Sequence, residues 1–234
     1  MTLSVLGIIP ARAGSRGLPG KNIAPVCGQP LIVYSLDAAR GASRLARTVV
    51  STDGEDIAAV CRAHGGDVPF IRPADLARDE TPTLPVLIHV LDRLEGSYDA
   101  VMVLQPTSPL RLSKDIDEAI RMLEEDTEAD SVISVVEVGD AHPARMKRMK
   151  DGVLEDLPFS EEFEGQRRQD LPQLYLRNGA IYLTRTRVLR EQLSLKGNRC
   201  LAYVMPRERS VNIDDALDLI FAQALIAAGS TDHG

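Results

Sequence analysis

Residues 8–22 read IIPARAGSRGLPGKN, and this stretch is the part of the sequence that is most informative about the fold. Its first residues end an apolar run that is typical of a strand buried on both faces. Gly14, Gly17 and Gly20 follow within a short loop. A glycine-rich loop at the carboxyl end of a parallel strand lies where open α/β sheets bind ligands, and its backbone N–H groups can approach an anion closely. The stretch therefore predicts an α/β fold with an anion-binding loop after its first strand.

The same loop carries three cations, Arg12, Arg16 and Lys21, which predict a cradle for a triphosphate. Each charge-assisted hydrogen bond to phosphate contributes roughly 1.5 to 3 kcal/mol. Two familiar phosphate motifs do not fit. Walker A needs a glycine where this chain has Ser15, and a serine or threonine where it has Asn22. The dinucleotide fingerprint G-x-G-x-x-G does not match glycines that are evenly spaced by three.

The first 125 residues alternate between strand-like and helical patterns. Apolar runs predict strands at 3–9, 47–51 and 99–104, and helical periods occur at about 30–41, 54–64, 83–95 and 113–125. This βαβ order predicts a three-layer nucleotide-binding α/β fold whose mostly parallel sheet is covered by helices.

The pattern changes at residues 139–176, which are charged and rich in turn signals. We interpret them as an insertion into a domain formed by residues 1–138 and 177–234. The segments NGAIYLT (178–184) and CLAYVMP (200–206) restore strand character. A closing helix follows, with apolar residues at 217, 220, 221, 224 and 225.

Composition narrows the function classes. The 234 residues include 27 Lys and Arg against 34 Asp and Glu, a formal net charge of −7 that disfavours nucleic acid as a partner. The sequence has neither an apolar run of roughly 18 residues nor a secretion-leader pattern, so we expect a cytoplasmic protein that does not bind a membrane. Cys27, Cys61 and Cys200 lie far apart, which indicates neither a zinc site nor a disulfide framework.

Six blocks, in order along almost the whole chain, resemble the acylneuraminate cytidylyltransferases. They are ARAGSRGLPGKN, VSTDGEDIA, RPADLARDETPT, LQPTSPLR, RRQDLPQLYLRNGAIYL and SVNIDDALDL. QPTSPLR is more similar to the sialate branch of the family than to the KDO branch. The resemblance implies that CTP and a 2-keto sugar acid react to give a CMP-sugar and pyrophosphate. It also implies a homodimer that forms through the insertion.

This resemblance implies roles for the loop and for the segment RPADLARDETPT. Arg12, Ser15, Arg16 and Lys21 would hold the triphosphate, and Asn22 would lie near the ribose. Lys21 and Arg12 are the expected catalytic cations, because positive charge around the β and γ phosphates stabilises the leaving pyrophosphate.

Arg72 and Thr83 are expected to read the cytosine edge. The alternative for that segment is ordinary turn chemistry, with Asp75 and Asp79 as helix caps and Arg72 as a surface arginine.

The expected acceptor residues, also implied by the resemblance, are Gln105, Arg111, Arg168, Asn178 and Tyr182. Gln105 follows a predicted strand at the edge where ligands bind. Arg168 has a planar guanidinium that suits a carboxylate. Arg111 could instead brace its loop, and Tyr182 lies in an apolar strand where core packing is the alternative.

Asn212 and Asp214 are the candidate ligands for Mg²⁺ or Mn²⁺, with Asp214 also expected to take part in catalysis. The family pattern here is Asp-x-Asp, so Asn212 removes one anionic ligand. Asp214 directly precedes the closing helix, and the alternative is that it only caps that helix. The sequence offers no general base, and a metal-lowered pKa of the acceptor hydroxyl is the simplest hypothesis.

One region departs from the family. Sialate enzymes carry a pair of aromatic residues after the NGAIYLT segment, whereas residues 191–199 read EQLSLKGNR. The acceptor therefore stays open between a nonulosonic acid and a smaller acid, such as the phosphonate phosphonoformate. A catalytically silent nucleotide-binding module is a further alternative, which Asn212 would permit.

Overall fold

The computed structural model describes residues 2–14, 17–163 and 165–229. Ser15 and Arg16, both predicted to bind the triphosphate, lie outside these ranges. The strands are β1 Val5–Pro10, β2 Pro25–Val26, β3 Gln29–Pro30, β4 Arg47–Ser51, β5 Ala100–Val103, β6 Ser131–Glu137, β7 Lys147–Lys150, β8 Val153–Asp156, β9 Tyr175–Arg185 and β10 Cys200–Val204. The helices are α1 Leu31–Gly41, α2 Glu55–Ala63, α3 Thr83–Arg93, α4 Ser113–Glu125, α5 Thr186–Glu191 and α6 Ala216–Ala227.

A six-stranded sheet in the order β10-β6-β9-β5-β1-β4 forms the centre of the fold. β1 pairs in parallel with both β4 and β5, and β10 pairs in parallel with β6. β9 is antiparallel to its two neighbours, β5 and β6. The predicted α/β class with a mostly parallel sheet is therefore confirmed. Because the chain leaves β1 for β4 on one side and reaches β5 on the other, the carboxyl end of β1 faces a crevice.

Alternating residues of β1 explain the three layers. Val5 and Ile9 pack into a core cluster with side chains of α1, α2 and α4. Leu6 and Ile8 pack into a second cluster with side chains of α3 and α5. All four side chains are fully buried. Burial of such side chains contributes about 1.5 to 3 kcal/mol each, which is why strands buried on both faces read as continuous apolar runs.

The predicted helices at 30–41, 54–64, 83–95 and 113–125 correspond to α1–α4 within about two residues at either end. β6 was not predicted. In the closing helix α6, the apolar residues Leu217, Ile220 and Phe221 are exposed, whereas Ala222 is buried. A helix that is apolar around most of its circumference gives no polar face from which to infer the buried side.

The predicted insertion contains the β7–β8 hairpin, whose residues are all exposed. Several large apolar side chains of this region face solvent: Met146, Met149, Val153, Leu154, Phe159 and Phe163. The predicted boundary at residue 176 falls inside β9, which begins at Tyr175. Across the described ranges, none of the helices combines the length and the apolar character that crossing a membrane requires.

Candidate nucleotide-binding site

A cavity of about 550 Å³ opens at the carboxyl edge of the sheet. The loop after β1 and the segment after β5 form part of its wall, as the crevice rule for α/β sheets predicts. The structure brings these predicted site residues together around it: Arg12, Lys21, Asn22, Arg72, Thr83, Gln105, Asn212 and Asp214. Lys21 and Asp214, for example, lie 193 residues apart in the sequence, so the fold is what assembles the site.

The loop after β1 is held in place by its glycines and by Lys21. Gly20 adopts a left-handed conformation with φ 66°, which favours glycine, and a short 3₁₀ turn, Lys21–Ile23, follows it. A Cβ atom on Gly17 would clash with the backbone oxygen of Asp214. The close approach to the segment before α6 therefore requires glycine at position 17, and the left-handed conformation of Gly20 sets the start of the turn.

Lys21 connects the loop to the segment before α6. Its Nζ donates to the backbone oxygen of Ile213 at 2.8 Å and lies 3.3 Å from the Oδ1 atom of Asp214. The Lys21 side chain is 13% exposed, whereas that of Asp214 is 73% exposed. The ammonium group is therefore preorganised at the cavity wall beside a carboxylate that remains accessible to a ligand.

Asn22 has a structural contact that the sequence did not predict. It is buried, and its Nδ2 donates to the backbone oxygen of Arg12 at 2.9 Å. The side chain therefore fixes the start of the same loop while it lines the cavity.

Two arginine–aspartate pairs lie at the cavity. The guanidinium of Arg12 forms an ion pair with Asp79. Arg72, with a side chain that is only 4% exposed, lies 3.4 Å from the Oδ1 atom of Asp53. Burial lowers the pKa of Arg72, and the charge of Asp53 opposes that shift. The suggestion that Arg72 is a surface arginine is therefore wrong.

The expectation that Asp75 and Asp79 cap helices in this segment is also corrected. Pro73 occupies the position before the 3₁₀ turn Ala74–Leu76, and Pro82 occupies the position before α3. Neither Asp75 nor Asp79 therefore caps these elements. Thr83 is the first residue of α3, so the amino terminus of that helix, which carries a partial positive charge, lies at the cavity.

Asp214 does not cap α6. Asp215 occupies the N-cap, where its Oδ1 accepts from the backbone N–H groups of Leu217 at 2.8 Å and Asp218 at 3.0 Å. Asp214 instead accepts from Nδ2 of Asn212 at 2.8 Å. The alternative in which Asp214 serves only as the helix cap is therefore wrong.

Asn212 and Asp214 suit a magnesium-type ion. The Oδ1 atom of Asn212 is buried and has no hydrogen-bond partner in the described parts of the chain. One amide oxygen and one accessible carboxylate are oxygen donors of the kind that Mg²⁺ takes when phosphates and waters complete its shell. No group of three His, Cys, Asp or Glu side chains that could hold a metal occurs among residues 2–14, 17–163 and 165–229.

The predicted acceptor residues are dispersed in a single chain. Gln105, which follows β5, lines the cavity. Arg111 does not: its guanidinium donates to the backbone oxygen of Ala180 at 2.8 Å and to Oγ of Ser35 at 2.6 Å. Burial lowers the pKa of Arg111 to about 10. The predicted contact of Arg111 with substrate is corrected, because the side chain braces the interior.

Asn178 and Tyr182 also point into the protein. Asn178 is buried, accepts from Oγ of Ser134 at 2.6 Å and donates to Oγ of Ser210 at 3.0 Å. Tyr182 packs against the core cluster beneath α3 and α5. Within one chain, both residues therefore serve the fold, and neither is among the described residues that line this cavity.

Arg168 lies in the insertion, with a half-exposed side chain 3.4 Å from Asp140. It lines a separate pocket of about 510 Å³ together with Glu137 and His142. The nucleotide-type residues and the insertion's candidate acceptor residue thus occupy different cavities of the same chain.

The sequence analysis missed several residues of the first cavity. Leu76 and Val86 supply apolar wall, and Thr107 supplies a hydroxyl. Thr107 lies two residues after Gln105, so its position after a strand end was a usable signal. Leu76 and Val86 read as ordinary apolar residues, and only tertiary packing shows that they face a ligand cavity.

The chain is similar to known cytidylyltransferases in sequence and in fold. The sequence matches the family described as cytidylyltransferase over residues 6–198. It is 31% identical over 222 residues to an N-acylneuraminate cytidylyltransferase of Escherichia coli O18:K1:H7, which covers 95% of this chain and 52% of that protein. The chain thus spans about half the length of that relative.

A second relative matches end to end. The CMP-N,N'-diacetyllegionaminic acid synthase of Legionella pneumophila is 30% identical over 229 residues, covering 96% of this chain and 97% of that protein.

Among solved structures, a CMP:2-keto-3-deoxy-manno-octonic acid synthetase complexed with CTP superposes with a TM-score of 0.74. It shares 20% sequence identity, and the match covers 97% of this chain and 99% of that chain. At this level of identity the likeness establishes the fold.

Proposed function

The chain belongs to the cytidylyltransferase family, and from this premise we propose that it transfers CMP from CTP to an acidic acceptor and releases pyrophosphate. The observation that carries the proposal is the convergence of Arg12, Lys21 and Asp214 on one cavity at the carboxyl edge of the sheet. The two cations complement the negative charge of a triphosphate, and the accessible carboxylate complements the positive charge of its metal counter-ion.

The proposed reaction is an in-line displacement at phosphorus. An acceptor hydroxyl oxygen gives up its proton to water and forms a bond to the α-phosphorus, while the bond from that phosphorus to the bridging oxygen breaks and pyrophosphate leaves with the electron pair. Lys21 and Arg12 bind the β and γ phosphates, where they stabilise the charge that develops on the leaving group. For this to happen, the anion shares or replaces the carboxylate of Asp79 at Arg12.

The cytosine is assigned to the part of the cavity near α3. Arg72 and Thr83 offer donors and an acceptor for the polar edge of the base, and Leu76 and Val86 offer apolar contact for its ring. The buried position of Arg72 favours this role, because a buried guanidinium makes stronger and more selective hydrogen bonds than an exposed one.

Asn212 and Asp214 would hold a Mg²⁺ or Mn²⁺ ion, which when bound neutralises phosphate charge and lowers the pKa of the acceptor hydroxyl. The residues of this chain prepare that position. Lys21 and the amide of Asn212 orient the carboxylate of Asp214 from two sides. The Oδ1 atom of Asn212, which has no hydrogen-bond partner among residues 2–14, 17–163 and 165–229, offers the second oxygen.

The preferred acceptor is a nonulosonic, sialic-acid-like 2-keto sugar acid. The names of the two relatives support this class, since both refer to acids of this kind. A small phosphonate is the second candidate, because residues 191–199 contain no aromatic side chain where sialate enzymes have two.

A homodimer is part of the proposal. The exposed apolar side chains of the insertion, including Met149 and Leu154, favour burial against a second copy. Such a dimer could bring Arg168 of one chain toward the cavity of the other. The cytoplasm is the proposed compartment, and the free thiols of Cys27, Cys61 and Cys200 suit its reducing conditions.

The proposal is tested by a pyrophosphate-release screen that crosses the four nucleoside triphosphates with sugar acids and phosphonates, in the presence of Mg²⁺. We expect release with CTP and a nonulosonic acid. Release with phosphonoformate alone would select the second candidate. No release with any pair would contradict the enzymatic proposal and favour a silent nucleotide-binding module.

A further inference from the structure

The segment VSTDGEDIA, residues 50–58, carries part of the family resemblance and yet has no role in the proposed reaction. The first of its two aspartates, Asp53, lies two residues after β4. The carboxyl end of β4 lies beside that of β1, because the backbone N–H of Ala11 donates to the oxygen of Ser51 at 2.9 Å. Asp53 is therefore next to the start of the glycine-rich loop.

A single oxygen of Asp53 contacts both ends of the nucleotide site. Oδ1 accepts from the backbone N–H of Ala13 at 3.0 Å. The same atom lies 3.4 Å from Nη2 of Arg72. Ala13 belongs to the loop on the triphosphate side, whereas Arg72 belongs to the side assigned to cytosine.

The charge of Asp53 matters because Arg72 is buried. The Arg72 side chain is 4% exposed and that of Asp53 is 22% exposed. Within the described ranges, Nε of Arg72 has no hydrogen-bond partner. Arg12, also at the cavity, adds like charge, so a carboxylate is needed to hold the second guanidinium there.

Asp53 does not itself lie among the described residues of the cavity wall. It therefore acts on a ligand through Arg72 and through the loop. The backbone adds a second restraint, because the N–H of Arg72 donates to the oxygen of Thr52 at 2.7 Å. Arg72 is thus attached to the 52–53 segment through both its main chain and its side chain.

We propose that Asp53 is a positioning residue that sets the separation between the base-reading guanidinium of Arg72 and the triphosphate loop. This inference rests on the proposed function, in which Arg72 reads the base. Through this coupling, Asp53 contributes to the preference for cytosine without contacting the nucleotide.

The test measures equilibrium binding by calorimetry to the full chain, with CTP, UTP and inorganic tripolyphosphate as separate probes in Mg²⁺. Asp53→Asn keeps an oxygen that can accept from Ala13 and removes the charge that faces Arg72. We expect about ten-fold weaker CTP binding, a smaller CTP-to-UTP preference and unchanged binding of tripolyphosphate. Asp67→Asn is the matched control, since Asp67 pairs with Arg47 at the other end of β4.

A double-mutant cycle separates positioning from general stability. In the background Arg72→Met, the change Asp53→Asn should no longer alter the CTP-to-UTP preference, because its effect passes through the guanidinium. An equal effect of Asp53→Asn in both backgrounds would overturn the positioning role.

The two levels of the proposal fail in different ways. If the unchanged chain binds CTP and UTP equally, the assignment of a cytosine site is wrong, and with it the role of Asp53. If the unchanged chain prefers CTP and Asp53→Asn behaves like Asp67→Asn, only the positioning role is overturned.

Discussion

The cavity at the carboxyl edge of the sheet and the predicted insertion at residues 139–176 differ in how completely one chain forms them. In the cavity, charged side chains already have partners and fixed positions, as Lys21 shows with Ile213 and Asp214. In the insertion, Arg168 is half exposed and apolar side chains such as Leu154 face solvent. Under the proposed function, we infer from this difference that one chain recognises the nucleotide and that acceptor recognition requires a second copy.

The physical reason lies in the supporting elements. The cavity is built at the ends of strands that are buried on both faces, so its geometry is fixed by the core. The β7–β8 hairpin has no buried face of its own within the chain. A two-stranded hairpin is marginally stable in water, so packing against another surface would stabilise it.

The largest expected effect concerns the nucleotide side. Lys21→Ala should lower the turnover of pyrophosphate release by about 10² to 10³, because one preorganised donor to the leaving group is lost. Lys114→Ala, an exposed lysine of α4, is the control and should leave turnover unchanged. A small loss for Lys21→Ala would remove the catalytic role assigned to the ammonium group.

Asp214 and Asp215 allow metal binding and helix capping to be separated. Asp214→Asn should weaken the apparent affinity for Mg²⁺ by about 10- to 100-fold, since a charged oxygen ligand is lost. Asp215→Ala should instead lower the free energy of unfolding by about 1 kcal/mol through the lost cap of α6. Metal titration and thermal unfolding of both variants distinguish the roles. The reverse pattern would contradict the assignment of Asp214.

The insertion's contribution is tested by oligomeric state. Leu154→Glu should weaken the dimer by about ten-fold or more, because it places a charge in a surface that loses water on association. Sedimentation velocity measures this shift. Acceptor binding should weaken with the dimer, while CTP binding should not.

Leu217→Glu is the matched control for that variant, since Leu217 is 75% exposed on α6 and Leu154 is 68% exposed on β8. Dissociation by Leu217→Glu alone would place the dimer contact on α6 and would contradict the role given to the insertion.

A further expected effect is on stability at the loop. Gly17→Ala should cost about 1 to 3 kcal/mol, because its Cβ would clash with the backbone oxygen of Asp214. Gly14→Ala should be nearly neutral for stability, since a Cβ there meets no described atom within 4 Å. Thermal unfolding of the two variants gives the comparison. Equal losses would mean that the loop and the segment before α6 are not tightly packed.

Much of the nucleotide side could be predicted from the sequence because its signals are local. A buried strand followed by glycines and cations predicts both the β1 loop and its place at the sheet edge. The same rule predicts that Gln105, which follows β5, lies at the ligand-binding edge, and Gln105 does line the cavity.

The ion pairs of the site could not be predicted, since Asp79 meets Arg12 across 67 residues of sequence and Asp53 meets Arg72 across 19. Only the fold creates these contacts.

The sequence also did not show which polar side chains are buried. Arg111 reads as a polar residue after a proline-containing turn, yet it lies inside and donates to backbone and side-chain oxygens. The acceptor side was the least predictable part, because an insertion with little hydrophobic period shows neither its own packing nor the surface that it contacts.

The most direct measurement is a crystal structure of the chain with CTP and Mg²⁺. The β and γ phosphates should lie within about 3 Å of Lys21 Nζ and of the Arg12 guanidinium. The cytosine should lie between Arg72 and Thr83, and the metal beside Asp214. A nucleotide bound elsewhere, with Arg12 and Lys21 directed into solvent, would contradict the assignment of this cavity.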